Sequence, residues 1–316
     1  MKTNKPVLRK DVAFINRQKE LAFLGEYIGE KPESILFLHG PKSSGKTTLL
    51  YKFLEQAGKK QDLDIKFLNL RETLTNVYED FLKAFFNVQG EGEKKGIQPV
   101  LVIDELQALD KVYIDNDKER QLIIALFNFF VAMTKERHLA HIIIASSDGY
   151  FLNTVYTDSR LKKAAKFYKV DYLCKEDVMD WLLNLEKYSK IKAYRLTKED
   201  VEKIWDAVGG SMWEIQDILS YLFQAPLEEV LASYIKRIRS LIVTYMVKSE
   251  KNELERLLRR FIDSDELPQE EIGPVEEKLL SDMVRQNILY FDPTEAKYYP
   301  QGKSYQNGIR AYFKKD

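Results

Sequence analysis

Short apolar runs alternate with longer stretches of helical spacing through the first half of the chain. The runs at residues 35–38, 65–70, 99–103, 142–145 and 166–173 are largely uninterrupted. That pattern predicts strands buried on both faces, because a strand with one wet face would alternate polar and apolar positions. Residues 48–56, 75–86 and 118–135 instead place apolar side chains on one helical face. Strands alternating with helices predict an α/β fold, a parallel sheet covered on both sides. Residues 89–96 are polar and glycine-rich and predict a surface loop. After residue 173 the strand signal stops. Helices are predicted at 175–188, 197–207, 213–223 and 227–247, with Thr197 and Asp200 as a capping box and Gly209-Gly210-Ser211 as a break. From 249 the order is a charged helix to 262, a break at Pro268, a helix from Gly273-Pro274 to 287, and strand-like 288–291 and 297–299 around a turn at Asp292-Pro293. Helices followed by a small hairpin are the order of a winged helix.

With 316 residues the chain exceeds one typical domain. Lys plus Arg and Asp plus Glu both number 49, so no global charge draws it to nucleic acid or an anionic membrane. Cys174 is the single cysteine, and His39, His138 and His141 are few and ill-spaced, which argues against an intrachain disulfide or a zinc site and fits a reducing cytoplasm. The amino-terminal residues are basic but lack an apolar core, and the window 122–133 is too short for a bilayer, so no membrane association is expected.

One polar stretch changes the picture. Gly40, Pro41, Lys42, Ser43, Ser44 and Gly45 lie between the first apolar run and a helix that opens with Lys46, Thr47 and Thr48. The glycines allow a tight turn whose amides point inward, and the helix start adds unpaired N–H groups, so the stretch reads as a phosphate-binding P-loop. Lys46 is expected to reach the outer phosphates and the Thr47 hydroxyl to hold Mg²⁺. The third run ends in Asp104-Glu105: Asp104 is expected to hold Mg²⁺ through its water shell, and Glu105 to polarise the attacking water. Ser146 or Ser147, after the fourth run, is a candidate to bond that water or a phosphate, the alternative being a plain strand exit. Arg160 is a candidate arginine finger toward a neighbouring subunit's nucleotide, which implies oligomerisation; a solvated helix-end cation is the equal alternative.

Residues Phe14 to Leu21 predict an extended entry and a helix capped by Asn16. Together with the loop Gly40 to Thr47, Ile103-Asp104-Glu105-Leu106-Gln107, Ser146-Ser147-Asp148-Gly149 and the Gly209-Gly210 step, they make the chain resemble the archaeal ATPases of the signal-transducing branch of P-loop NTPases, relatives of AAA+ proteins and origin-recognition-type initiators. The resemblance implies an AAA+-like P-loop NTPase core over 1–173, a helical lid over 174–247 and a winged helix over 248–316. It implies ATP/ADP and Mg²⁺ as ligands, adenine rather than guanine, and a base covered by the segment around Asn16 and Arg17. The expected activity is Mg²⁺-dependent ATP hydrolysis coupled to movement of lid and winged helix. The usual proline after the paired glycines is replaced here by Ser211 or Met212. The expected partners are the nucleotide and a protein the sequence does not identify. An ATP-regulated DNA-binding initiator is the alternative, supported by the aromatic and basic tail after Tyr299 and opposed by Glu276, Glu277 and Asp282 on the last predicted helix.

Overall fold

The computed structural model describes residues 14–60, 62–71, 97–110, 112–114, 121–188, 195–247 and 251–314. The helix predicted at 75–86 and the loop predicted at 89–96 lie outside these residues. Five parallel strands form the central sheet: β1 (Ile35–His39), β2 (Leu63–Asn69), β3 (Gln98–Asp104), β4 (His141–Ala145) and β5 (Ala165–Lys169), in the order β2-β3-β4-β1-β5. β1 and β4 lie inside the sheet and are buried at every residue, while the edge strands β2 and β5 are mostly half-buried. The uninterrupted apolar runs at 35–38 and 142–145 follow from that central position.

The pleat divides these strands between two cores. Ile35, Phe37, Ile103, Ile142 and Ile144 face α3 (Leu122–Val131) and α4 (Gly149–Thr157). Leu36, Leu38, Val102, Ile143 and Ala145 face α1 (Gln18–Gly29) and α2 (Lys46–Ala57). Parallel register then brings the carboxyl ends of the strands to one edge: Leu38 pairs with Ala145, Ala145 with Asp104, and Asp104 with Asn69. Everything that follows those residues, including the glycine-rich loop, Glu105, Ser146 and Arg71, emerges there.

Beyond β5 the described regular elements are α5 (Lys175–Leu183), α6 (Leu185–Tyr188), α7 (Lys198–Val208), α8 (Met212–Tyr221), α9 (Leu227–Val247), α10 (Lys251–Asp263), β6 (Leu267–Pro268), α11 (Pro274–Arg285), β7 (Leu289–Asp292), β8 (Lys297–Pro300) and α12 (Lys303–Phe313). The strands β6, β8 and β7 make a small antiparallel sheet. The Thr197 and Asp200 capping box forms, and Gly209 ends α7 at φ +64. Gly210 is required by close approach, since a Cβ there would lie 1.9 Å from the Leu173 carbonyl oxygen. Residues from Leu173 through Ile309 share one hydrophobic core, so the helices after β5 and the carboxyl-terminal sheet are packed as a single body.

Three local expectations change. The fifth strand stops at Lys169; Val170 N–H still bonds His39 O, and beyond it the chain leaves the sheet so that Leu173 N–H meets Gly210 O. Asn16 does not cap α1; Arg17 holds the N-cap position and the Asn16 amide is drawn to Asp177 of α5 at 2.5 Å. The aromatic and basic tail is helix α12, which buries Ile309 and packs Tyr305, Tyr312 and Phe313 on the shared core.

Candidate functional site

The loop after β1 turns by alternating backbone hand. Gly40, Ser43 and Gly45 have φ of +147, +65 and +92, the kind of winding that points successive amides inward. Gly40 cannot carry a side chain, as a Cβ would lie 2.1 Å from the Val170 carbonyl oxygen. Lys46 is 5% exposed, and its ammonium donates to Gly40 O (2.9 Å), Pro41 O (2.8 Å) and Ser44 Oγ (3.3 Å). Burial pushes Lys46 down to about 8, opposed by the nearby Glu105 and Asp104 carboxylates. A buried cation bonded only to neutral loop oxygens can exchange them for phosphate oxygens at little cost.

Thr47 and Asp104, remote in sequence, are in contact: Thr47 Oγ1 donates to Asp104 Oδ2 at 2.7 Å. Burial raises Asp104 and the Thr47 bond opposes it. A hydroxyl and a carboxylate side by side beneath the loop are hard oxygen donors and fit Mg²⁺, which keeps much of its water and takes few protein ligands. Glu105 has φ +65. Its Oε1 pairs with Arg71 at 2.7 Å and its Oε2 accepts from Gln107 Nε2 at 2.5 Å. Ser146 Oγ donates to Gln107 Oε1 at 3.0 Å.

Arg17 is buried and grips the loop from below, donating to Ser44 O at 2.8 Å and Asp171 O at 2.7 Å and pairing with Glu20. Thr48 lies in the first turn of α2. The structure therefore gathers Gly40 to Thr48, Asp104, Glu105, Ser146 and Arg17 at one sheet edge. Arg160 is not among them. It precedes β5, at the opposite end of the strands, and is paired with Asp158.

The carboxyl-terminal body reaches this same loop. Tyr172 Oη is 2.9 Å from Lys42 O and 3.1 Å from Gln301 O. In the orientation that satisfies both ends of its amide, Gln301 accepts from the Lys42 N–H at 2.6 Å and donates to Leu289 O at 3.0 Å. Lys169 forms 3.0 Å ion pairs with Asp292, which is fully buried, and with Glu295. A cleft of about 380 Å³ opens between Pro41, Tyr172, Gly210, Trp205 and Lys303, yet neither Lys46 nor Asp104 lines it, so the polar chemistry lies beside it. Sequence reasoning missed Arg71, Tyr172 and Gln301; only Arg71 gave a signal, as a charge just beyond a predicted parallel strand.

A family model described as an ATPase domain predominantly from Archaea matches residues 14–92 and 83–218. An uncharacterized ATP-binding protein of Pyrococcus abyssi is 31% identical, over 96% of this chain and 98% of its own length. The chain belongs to this archaeal ATPase family. An uncharacterized ATP-binding protein of Methanocaldococcus jannaschii is 34% identical over 56% of this chain and 61% of its own length. Among solved structures, the Aeropyrum pernix ORC2 protein, in ADPNP and ADP complexes, covers 97% of each chain with a TM-score of 0.52 and 11% identity, a likeness of fold. The core of this archaeal ATPase is accordingly a parallel P-loop sheet, the fold it shares with that structure. No helix among the described residues is long and apolar enough to cross a membrane.

His39 ties the core of this ATPase to β7. Its Nδ1 lies 3.0 Å from Tyr290 Oη; burial keeps the tyrosine protonated as donor and holds the imidazole down to about 4, against the pull of Asp292. Unfolded, the ring takes its proton near 6.5. The unfolded chain therefore binds more protons between those values, and stability that is complete above about 6.5 is lost as the pH falls toward 4, at most about 3 kcal/mol. Chemical denaturation at pH 7 and pH 4.5 should show a smaller acid loss for His39→Gln than for the natural chain; equal losses would discard the argument.

Proposed function

We propose that this ATPase is a Mg²⁺-dependent switch that hydrolyses ATP and whose lid and carboxyl-terminal winged helix move as one body with the nucleotide state. The observation that carries the reading is the contact of Thr47 with Asp104, whose carboxylate acts electrostatically on the buried Lys46 ammonium. The loop amides and Lys46 bind and orient the triphosphate, and Arg17 keeps the loop in shape. Thr47 and Asp104 would hold Mg²⁺, which when bound would supply charge neutralisation at the phosphate oxygens. Glu105 accepts the proton of the attacking water, so the work of the protein is positioning and electrostatics. Arg160 would serve a neighbouring subunit, which requires an assembly.

The coupling follows from Gln301. Its oxygen occupies the Lys42 N–H, one of the loop amides a phosphate needs. Nucleotide and carboxyl-terminal body therefore compete for the same donor. Because that body shares its core with the lid, displacement at Lys42 is transmitted to both.

The features that favoured DNA are used inside the fold. Arg310 donates to Ile262 O, Lys303 pairs with Asp206, and Tyr312 bonds Glu255. Purified protein should release phosphate from ATP with Mg²⁺ and stop when excess EDTA is added. Tight retention of ADP with no phosphate release would replace this reading with a nucleotide-gated binder that does not hydrolyse.

A further inference from the structure

β7 is an edge strand, and its pairing with β8 determines which of its backbone groups are left over. The sheet order is β6-β8-β7, so one side of β7 has no strand. Gln301 N–H donates to Ile288 O at 2.9 Å, and antiparallel ladders alternate bonded and non-bonded residue pairs. Tyr290 and Asp292 therefore bond across to Tyr299 and Lys297, while Leu289, opposite Pro300, and Phe291, opposite Tyr298, turn their N–H and C=O away from β8. Pro300 has no N–H to give, which agrees with that alternation. An open edge of this kind is a template for any extended chain it meets. Here groups outside the sheet cover both positions. Leu289 O accepts from the Gln301 amide at 3.0 Å. Phe291 is covered by Gly149, the first residue of α4, where a Cβ would lie 2.9 Å from Phe291 O and 3.2 Å from Phe291 N. Gly149 has no left-handed backbone to account for it; what excludes a side chain there is β7. The covering turn belongs to the core: Asp148 Oδ1 accepts from the Tyr150 and Phe151 N–H groups, and its own N–H donates to Ser146 Oγ at the end of β4. When the carboxyl-terminal body moves, that cover stays behind.

We propose that the outer edge of β7 is a masked docking strand, bared when the carboxyl-terminal body leaves the ATPase core, and that it takes an extended, basic segment of a protein partner by strand addition. This rests on the proposed competition between phosphate and Gln301 at Lys42, because the amide that gives up the loop N–H is the one lying on Leu289 O. The backbone groups select an extended chain: two outward residues, two positions apart, match the hydrogen-bonding repeat of a strand. The side chains select its charge. Tyr290 and Asp292 share the face that lies on the core, the first meeting His39 and the second Lys169. Lys169 also pairs with Glu295. On release both carboxylates lose that cation, so a segment bringing a Lys or Arg to the same place fits and an acidic one does not. A second copy of β7, Leu-Tyr-Phe-Asp, would bring another carboxylate and no cation, so the edge disfavours pairing with itself.

The test compares the full chain with its Gly149→Ala variant. Alanine favours a helix over glycine, so α4 is kept while the added methyl pushes against Phe291 O. The probe is a short fluorescein-labelled peptide of alternating valine and threonine with one central lysine, read by anisotropy. Its controls carry glutamate in place of the lysine, or a methyl group on every amide nitrogen. Without nucleotide, Gly149→Ala should bind the lysine peptide about tenfold more tightly than the natural chain, and a non-hydrolysable ATP analogue with Mg²⁺ should tighten the natural chain by about as much. The glutamate peptide should bind at least about threefold more weakly, and the methylated one not at all. Residue-resolved amide exchange should be faster at Leu289 and Phe291 in Gly149→Ala and slow again when the lysine peptide is added, with smaller changes at the ladder-bonded Tyr290 and Asp292. Unchanged exchange at Leu289 and Phe291 in Gly149→Ala, faster exchange there without peptide binding, or equal binding of the methylated peptide overturns the inference. Dimers of Gly149→Ala in light scattering would make a second copy the occupant and overturn it too. Peptide binding by Gly149→Ala that the ATP analogue does not promote in the natural chain leaves the docking strand standing and overturns the competition at Lys42 instead.

Discussion

Lys46→Ala should abolish ATP binding, raising Kd at least about 100-fold, whereas Glu105→Gln should bind ATP as tightly as the natural protein and lose about 10²–10³ in kcat. The two differ because the groups stand in different places. Lys46 is inside the loop, within 2.9 Å of the Gly40 and Pro41 carbonyls. Its removal takes away the cation and also leaves those oxygens facing the phosphates with nothing between. Glu105 lies one strand further out, beyond β4, and bonds to Arg71 and Gln107 rather than to the loop. Replacing its carboxylate with an amide costs proton acceptance and leaves phosphate recognition alone. Calorimetry with a non-hydrolysable analogue and phosphate release separate the two effects. A Lys46→Ala protein that binds within tenfold of the natural one would show that the loop is not the triphosphate site.

Both halves of that site are legible in the sequence, because each depends on a local pattern. A buried strand, a glycine turn and a helix start are consecutive from Ile35 to Ala57, and the apolar run before Asp104 fixes which edge its carboxylate reaches. The strand order that puts β4 between β1 and β3, and so sets Ser146 between the loop and Glu105, is not local and needs the structure. Long-range partners are hidden for the same reason. Gln301 lies far along the chain from Lys42, and no spacing rule links them. Asn16 has the chemistry of a cap, but its amide is drawn to Asp177 on another helix. Helix α12 was hidden by composition: Tyr305, Ile309, Tyr312 and Phe313 have helical spacing, but the basic residues among them read as a polar tail.

Lys169→Ala should lift β7 and β8 off the ATPase core without unfolding either body. Lys169 is the counter-charge for Asp292, and with burial opposed by the Thr294 and Lys169 bonds, that carboxylate is held below its ordinary range. Without the ammonium a buried charge loses its partner, a change that costs about 3–5 kcal/mol when such a pair is broken. Thr294 still serves one oxygen, so the cost here falls toward the lower end. The hairpin can relieve it by moving Asp292 into water, which breaks the His39–Tyr290 and Lys42–Gln301 bonds. The core shared by the lid and carboxyl-terminal helices stays intact, because Lys169 takes no part in it. Amide exchange at Tyr290 to Asp292 should therefore accelerate, and apparent ATP affinity should rise about tenfold as loops with a free Lys42 amide become the majority. Adding Asp292→Asn removes the stranded charge and should restore much of the protection. Faster exchange at the hairpin with unchanged ATP affinity would make the docking merely structural, and the competition between Gln301 and phosphate would fall with it.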